Sequence, residues 1–197
     1  MAGFDRGFKA WCERTSHSLR RDMGLGLLDP VEPSTLARSL DVTLWTPRDV
    51  PGLPKDVLDQ LLVHDPGGWS AVTLMREGAP LVIHNPRHSR ARQTSDITHE
   101  LSHILLGHKP SNKILSADGS LVLRGYDAKQ EGEADWFAGT LLLPREALLH
   151  YRRERWDDLR IADHFNVSLQ LATYRLRITG VNSQLRASGA VRRKAVK

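Results

Sequence analysis

The chain has 197 residues, 40% of them hydrophobic, with one cysteine and a formal net charge of +5. That length suits one domain with a real core, and a single cysteine excludes an internal disulfide framework, so Cys12 reads as a free thiol of a reducing compartment, neither nucleophile nor metal ligand. The charge would suggest nucleic acid, but Arg186, Arg192, Arg193, Lys194 and Lys197 carry the whole excess, which leaves residues 1–180 neutral.

An acid-free end rich in small residues reads as a disordered, solubilising tail over 181–197. No run of residues is long and apolar enough to span a membrane, and Met1 to Glu13 lacks the apolar centre of a secretory signal. A cytoplasmic location without a membrane partner is the expectation.

From the N-terminus, Arg6 to Met23 reads as a helix with Phe8, Trp11 and Leu19 partly inward. A Gly/Pro-marked turn follows from Gly24 to Pro33, and Ser34 is expected to cap a short helix over Leu36, Ala37 and Leu40. Val42 to Trp45 reads as a strand stopped by Pro47, and Asp56 to Val63 as a short helix. Trp69 to Arg76 and Pro80 to His84 are two apolar strands joined at Glu77-Gly78, a hairpin signal, so a small antiparallel sheet is expected. Pro80 to Asn85 is its expected edge, where a peptide backbone could add as a further strand; packing of the sheet is the plainer reading.

The next segment carries the chemistry. Around Ile97, Leu101, Ile104 and Leu105 the apolar spacing is that of a long helix, ended by Gly107 and Pro110. On it stands Thr98-His99-Glu100-Leu101-Ser102-His103, an H-E-x-x-H motif. Helical geometry points the imidazoles at i and i+4 the same way, able to bind one zinc ion, with Glu100 beside a water polarised by it. Composition alone yields this pattern in roughly one or two shuffled chains per hundred, so context must support it. A metzincin would need Gly at 106 and His at 109, where Leu106 and Lys109 stand, so the third ligand must come from elsewhere.

Pro110 to Asp127 reads as a loop with a short strand at Ser120 to Arg124. Tyr126, just before the following helix, is a candidate oxyanion stabiliser, against the plainer reading of a core or surface tyrosine. On that helix Glu131 and Asp135 are four apart on one face. Glu131 can complete a His-His-Glu site, and Asp135 can accept the outer N–H of a ligand histidine. Glu133 is the alternative ligand, but it points roughly 200° from Glu131 and has no same-face carboxylate one turn on. His108 lies about 500° round the helix from His103 and is expected off the metal-facing side. His64, His84, His88, His150 and His164 lack partners at ligand spacing.

From Pro144 the chain reads as helical over Arg145 to Arg153, Asp157 to Phe165 and Leu169 to Ile178. The last two, joined through Asn166-Val167-Ser168, have the outline of a helix-turn-helix. Arg175 and Arg177 could touch phosphate, yet the excess of basic over acidic residues there is small, and packing against the zinc cleft or a protein substrate is the favoured reading.

The run His99 to His108, Asn85 after a strand, Glu131-x-x-Ala134-Asp135-x-Phe137-Ala138 leading into Leu141-Leu142-Leu143-Pro144, and Ile161 to Ser168 with Arg175-Leu176 beyond, together resemble the ImmA/IrrE family of metallopeptidases. The resemblance covers about residues 80–180. It implies His99, His103 and Glu131 as zinc ligands, Glu100 as general base, and a cytoplasmic enzyme often encoded beside a helix-turn-helix repressor that it cleaves or inactivates.

The expected fold is therefore α+β: a mostly helical, zincin-like metallopeptidase core over 1–143 with a small antiparallel sheet, a helix-turn-helix-like helical subdomain over 144–180 packed on it, and the basic tail. The expected function is zinc-dependent cleavage of a protein substrate. The alternative is a non-proteolytic regulator that binds a repressor, or DNA, through the C-terminal helices.

Overall fold

In a computed structural model, residues 4–76, 78–109, 114–115, 121–123 and 128–195 are described. The N-terminal helix α1 spans Phe8–Asp22, and α2 spans Pro33–Ser39. In α2 the cap lies two residues earlier than expected: Pro33 takes the first helical position, where its missing N–H costs nothing, and Glu32 precedes it, so Ser34 lies inside the helix. Strand β1 (Thr43–Trp45) leads through a 3₁₀ turn to α3 (Lys55–Asp59), which widens into a π turn over Gln60–His64.

Strands β2 (Ala71–Arg76) and β3 (Ala79–His84) form the expected hairpin, with Gly78 at φ 85 taking the left-handed turn position that a side chain would resist. The sheet is mixed, not antiparallel. β1 lies parallel to β3, pairing Thr43 with Leu81 and Trp45 with Ile83. Short strands β4 (Ile114–Leu115) and β5 (Leu121–Leu123) extend the other side, giving the order β1-β3-β2-β5-β4.

This order overturns one expectation. β3 sits between β1 and β2, so its backbone is paired on both sides and Pro80 to Asn85 is no edge for an incoming peptide. β5 pairs only with Leu74, Met75 and Arg76 of β2, and among the described residues Ala71 to Thr73 carry no strand on that side.

Helix α4 (Arg90–Leu105) crosses the sheet and packs most extensively on α5 (Ala128–Leu142). Ser89 caps α4, its Oγ accepting from the Arg92 amide. One core forms where α1, α2, the sheet, α4 and α5 meet, around Cys12, Leu36, Val82, Ile97, Leu101, Phe137 and Leu141. A second lies among the helices α6 (Arg145–Arg153), α7 (Asp158–His164), α8 (Leu169–Ile178) and α9 (Val181–Ala195), around Leu148, Ile161, Phe165, Leu176 and Val181. The first three match their expected spans closely.

The fourth is a correction. The segment read as an irregular tail is helical through Ala195, because Val181 is fully buried and Leu185 packs behind it; its apolar residues were too few to outweigh the basic composition in a reading by pattern.

Two buried arginines tie these layers together at the end of α5, whose last carbonyls have no partner within the helix. Arg20, from α1, donates to the carbonyls of Leu141 at 2.7 Å and Asp29 at 2.6 Å. Burial lowers its pKa to about 10, which leaves it charged at neutral pH. Arg175, from α8, donates to the Leu143 carbonyl at 3.1 Å and to Glu13 at 3.2 Å. Only 1% of Arg175 is exposed, so it cannot reach a phosphate as the sequence allowed; Arg177 is exposed.

Candidate metal centre

Leu101 and Ile97 turn one stripe of α4 into the core, and this sets the flank of the same helix, with His99, Glu100 and His103, against α5. From α5, whose buried half runs from Ala134 to Leu142, the first turn presents Glu131 across the gap.

The donor atoms converge. His99 Nε2 and His103 Nε2 are 3.1 Å apart, Glu131 Oε2 is 3.0 Å from the first, and Glu131 Oε1 is 3.3 Å from the second. These three residues form a group able to hold a metal ion. Tetrahedral ligands bonded at zinc distances stand about 3.3 Å apart, so the donor set fits that ion without rearrangement. His103 is nearly buried, whereas the Glu131 side chain is 32% exposed, which leaves one side of the group open to solvent.

The remaining expected residues, apart from Tyr126, can be located. Asp135 Oδ1 lies 2.9 Å from His99 Nδ1, on the ring nitrogen away from the cluster. Burial alone would lower the pKa of His99, but the hydrogen bond to Asp135 and the charges of Asp135, Glu100 and Glu131 outweigh it and raise it to about 8. Glu100 Oε2 accepts a hydrogen bond from Thr73 Oγ1 of β2. Glu133, the alternative ligand, turns away from the cluster to His108, at 3.2 Å. Tyr126 lies outside the described residues.

Other residues border or support the site; of these the sequence had pointed only to Asn85, as part of the resemblance, without giving it a role. A cleft of about 330 Å³ opens beside the cluster, bordered by Ser70, Ala71, Asp96, His99, Glu100 and Asp135. Its rim is held by Asn85, which is 1% exposed and donates through Nδ2 to the carbonyls of Pro66 at 2.7 Å and Trp69 at 2.9 Å. Asp96, one turn before Glu100, is paired with His88 Nδ1 at 3.0 Å. A helical wheel could have found Asp96; Thr73 is visible only once the strand is laid beside α4.

His108 lies off the metal-facing side, as expected, but its place against His103 was not foreseen. It is buried, and its Nδ1 lies 2.9 Å from His103 Nδ1. Counting 100° per residue fails here because the helix ends at Leu105. Gly107, at φ 63, reverses the chain, and the His108 and Gly107 amides donate back to the carbonyls of His103 and Ile104, each at 3.0 Å. This is a Schellman turn, and it folds residue 108 under residue 103.

Paired imidazoles, a glutamate beside them and a facing carboxylate are the parts of a metallopeptidase. The model of one such family, Peptidase M78, described as the IrrE N-terminal-like domain, matches residues 58–177. The chain belongs to that family, and its domain is that of a metallopeptidase of the ImmA/IrrE type. No curated protein matches the chain. Among the described residues no helix is long and apolar enough to cross a membrane.

Proposed function

We propose that the protein is a zinc-dependent endopeptidase, with His99, His103 and Glu131 as metal ligands and Glu100 as general base. The observation that carries this reading is the convergence of two imidazole nitrogens and a carboxylate within 3.3 Å of one another, beside a cleft that Glu100 borders. Zinc bound there would supply Lewis acidity, polarising a peptide carbonyl and easing the ionisation of water.

The chain's own residues do the rest. Glu100 accepts the proton of the attacking water and returns it to the leaving amine. Thr73 holds the Glu100 carboxylate toward the cleft, and Asp135 fixes the tautomer of His99 so that Nε2 keeps its lone pair for the metal. The stretch Ala71 to Thr73 of β2, which among the described residues has no strand on its β5 side, runs beside Glu100 and suits an extended peptide better than β3 does.

The substrate we assign is a helix-turn-helix repressor, cut in the cytoplasm, and the helices α7 and α8 serve in this reading as a docking module. Burial of Arg175 speaks against DNA as their ligand.

The test is a cleavage assay on the helix-turn-helix repressor encoded nearest the protein, with Glu100→Gln beside the parent. The amide keeps the shape but cannot take a proton at neutral pH, so zinc should stay bound and cleavage should stop. A Glu100→Gln protein that cuts at the parent rate sinks the assignment of the base. Stoichiometric zinc that survives Glu131→Ala sinks the ligand set.

A further inference from the structure

We propose that His108 and Glu133 are positioning residues for His103, forming a buried imidazole-to-carboxylate relay that sets which ring nitrogen of His103 faces the metal. The inference rests on the metal centre proposed above.

Proton accounting supports it. The Nδ1 atoms of His103 and His108 are 2.9 Å apart, a hydrogen-bond distance, so one of them carries a proton and the other a lone pair. If Nε2 of His103 gives its lone pair to a metal, Nδ1 of that neutral ring must carry the proton and donate it to His108. His108 then holds its own proton on Nε2, which lies 3.2 Å from Glu133 Oε2, a carboxylate oxygen that only accepts. Each link dictates the next, and the opposite assignment would leave His103 without a lone pair at the metal-facing nitrogen.

The surroundings enforce this order. The His103, His108 and Glu133 side chains are 7%, 8% and 14% exposed, so water competes little for these hydrogen bonds. The backbone locks the pair as well, through the Schellman bond from the His108 amide to the His103 carbonyl. Lys129 Nζ lies 3.8 Å from Glu133 Oε1, on the other oxygen of that carboxylate.

The two ligand histidines thus have unlike supports. His99 meets an exposed carboxylate directly, whereas His103 reaches its carboxylate through a second imidazole.

The experiment measures zinc affinity of the full chain by chelator competition for the parent, Glu133→Gln, His108→Ala, His108→Asn and the double variant His108→Ala/Glu133→Gln. Loss of such an outer partner weakens metal binding about 10–100-fold. We expect His108→Ala in that range, Glu133→Gln at its lower end, and partial recovery in His108→Asn, whose amide oxygen can accept from His103 Nδ1.

Because Glu133 acts through His108, the double variant should bind no worse than His108→Ala. In the zinc-loaded parent, proton–nitrogen correlation spectra should report His103 protonated at Nδ1 and His108 at Nε2, a readout that needs no variant to fold. Parent-like affinity in both single variants, or additive losses in the double variant, would overturn the relay while leaving the ligand set standing; the reverse tautomers would overturn the relay and, with it, His103 Nε2 as a ligand atom. A parent that takes up no stoichiometric zinc sinks the metal centre and the relay together.

Discussion

The hydroxyl of Thr73, in the middle of β2, donates to the carboxylate of Glu100 on α4, although 27 residues separate them in the chain. The sheet thus reaches into the proposed reaction through one side chain that is itself 1% exposed. Thr73→Val keeps the shape and removes the donor. Losing one hydrogen bond to a charged group costs about 1.5–3 kcal/mol when its partner stays buried, so cleavage should slow about tenfold or more with zinc content unchanged. Unchanged turnover in Thr73→Val would show that Glu100 needs no such support.

His99 supplies a pH dependence. In the metal-free protein its pKa is raised from 6.5 to about 8, so the fold favours the protonated ring. That contribution to stability is fully present below pH 6.5 and is lost as pH rises through about 8. It amounts to at most about 2 kcal/mol, since one pKa unit is about 1.4 kcal/mol and the exposed Asp135 is screened. Metal has the opposite preference, because it must displace the proton. Zinc affinity should therefore fall about tenfold per pH unit below pH 8 and level off above it. Chelator competition across pH 6 to 9 would check this, and a flat profile would contradict it.

Gly139 is a packing position. A Cβ there would stand 3.0 Å from Cδ of Arg175, whose guanidinium is fixed at both Glu13 and Leu143. Gly139→Ala should therefore cost about 1–3 kcal/mol in denaturant unfolding, against the small gain alanine ordinarily brings to a helix. A stabilised variant would mean that Arg175 can swing aside.

Cys12 is fully buried in the α1 face of the core, and desolvation, aided by the charge of Glu13, pushes its thiol up to about 12. The thiolate is the reactive form, so a thiol reagent at pH 7 to 8 should leave the native protein unmodified and label it only as it unfolds. Rapid labelling of the native protein would place Cys12 in an opening segment.

Local signals in the chain were read well. The spacing of His99 and His103, the apolar stripe of Ile97 and Leu101, and the turn at Gly78 depend on neighbours a few residues away, and the structure has the corresponding helix and hairpin. The helices from Arg145 to Ile178 follow the same logic, as does the pairing of Glu131 and Asp135 on one face. Distant pairings were not legible. The parallel partner of β3 is β1, brought from some 40 residues earlier, and periodicity within each strand is blind to it. The contact of His108 with His103 was missed because angular counting was carried past Gly107, where the helix had stopped, although the side away from the metal was read correctly. The helix at Val181 was hidden by its basic composition, although one buried valine and one packed leucine were enough to seat it.

Arg175 also bears on how the molecule can be dissected. Ending the chain at Pro144 would leave the partly buried Glu13 and the buried Leu143 carbonyl with their guanidinium gone, and would bare the apolar side of Leu142 and Leu143. A minimal peptidase fragment cut at that junction should precipitate, and any trimmed form that keeps working must retain the polypeptide at least through the end of α8.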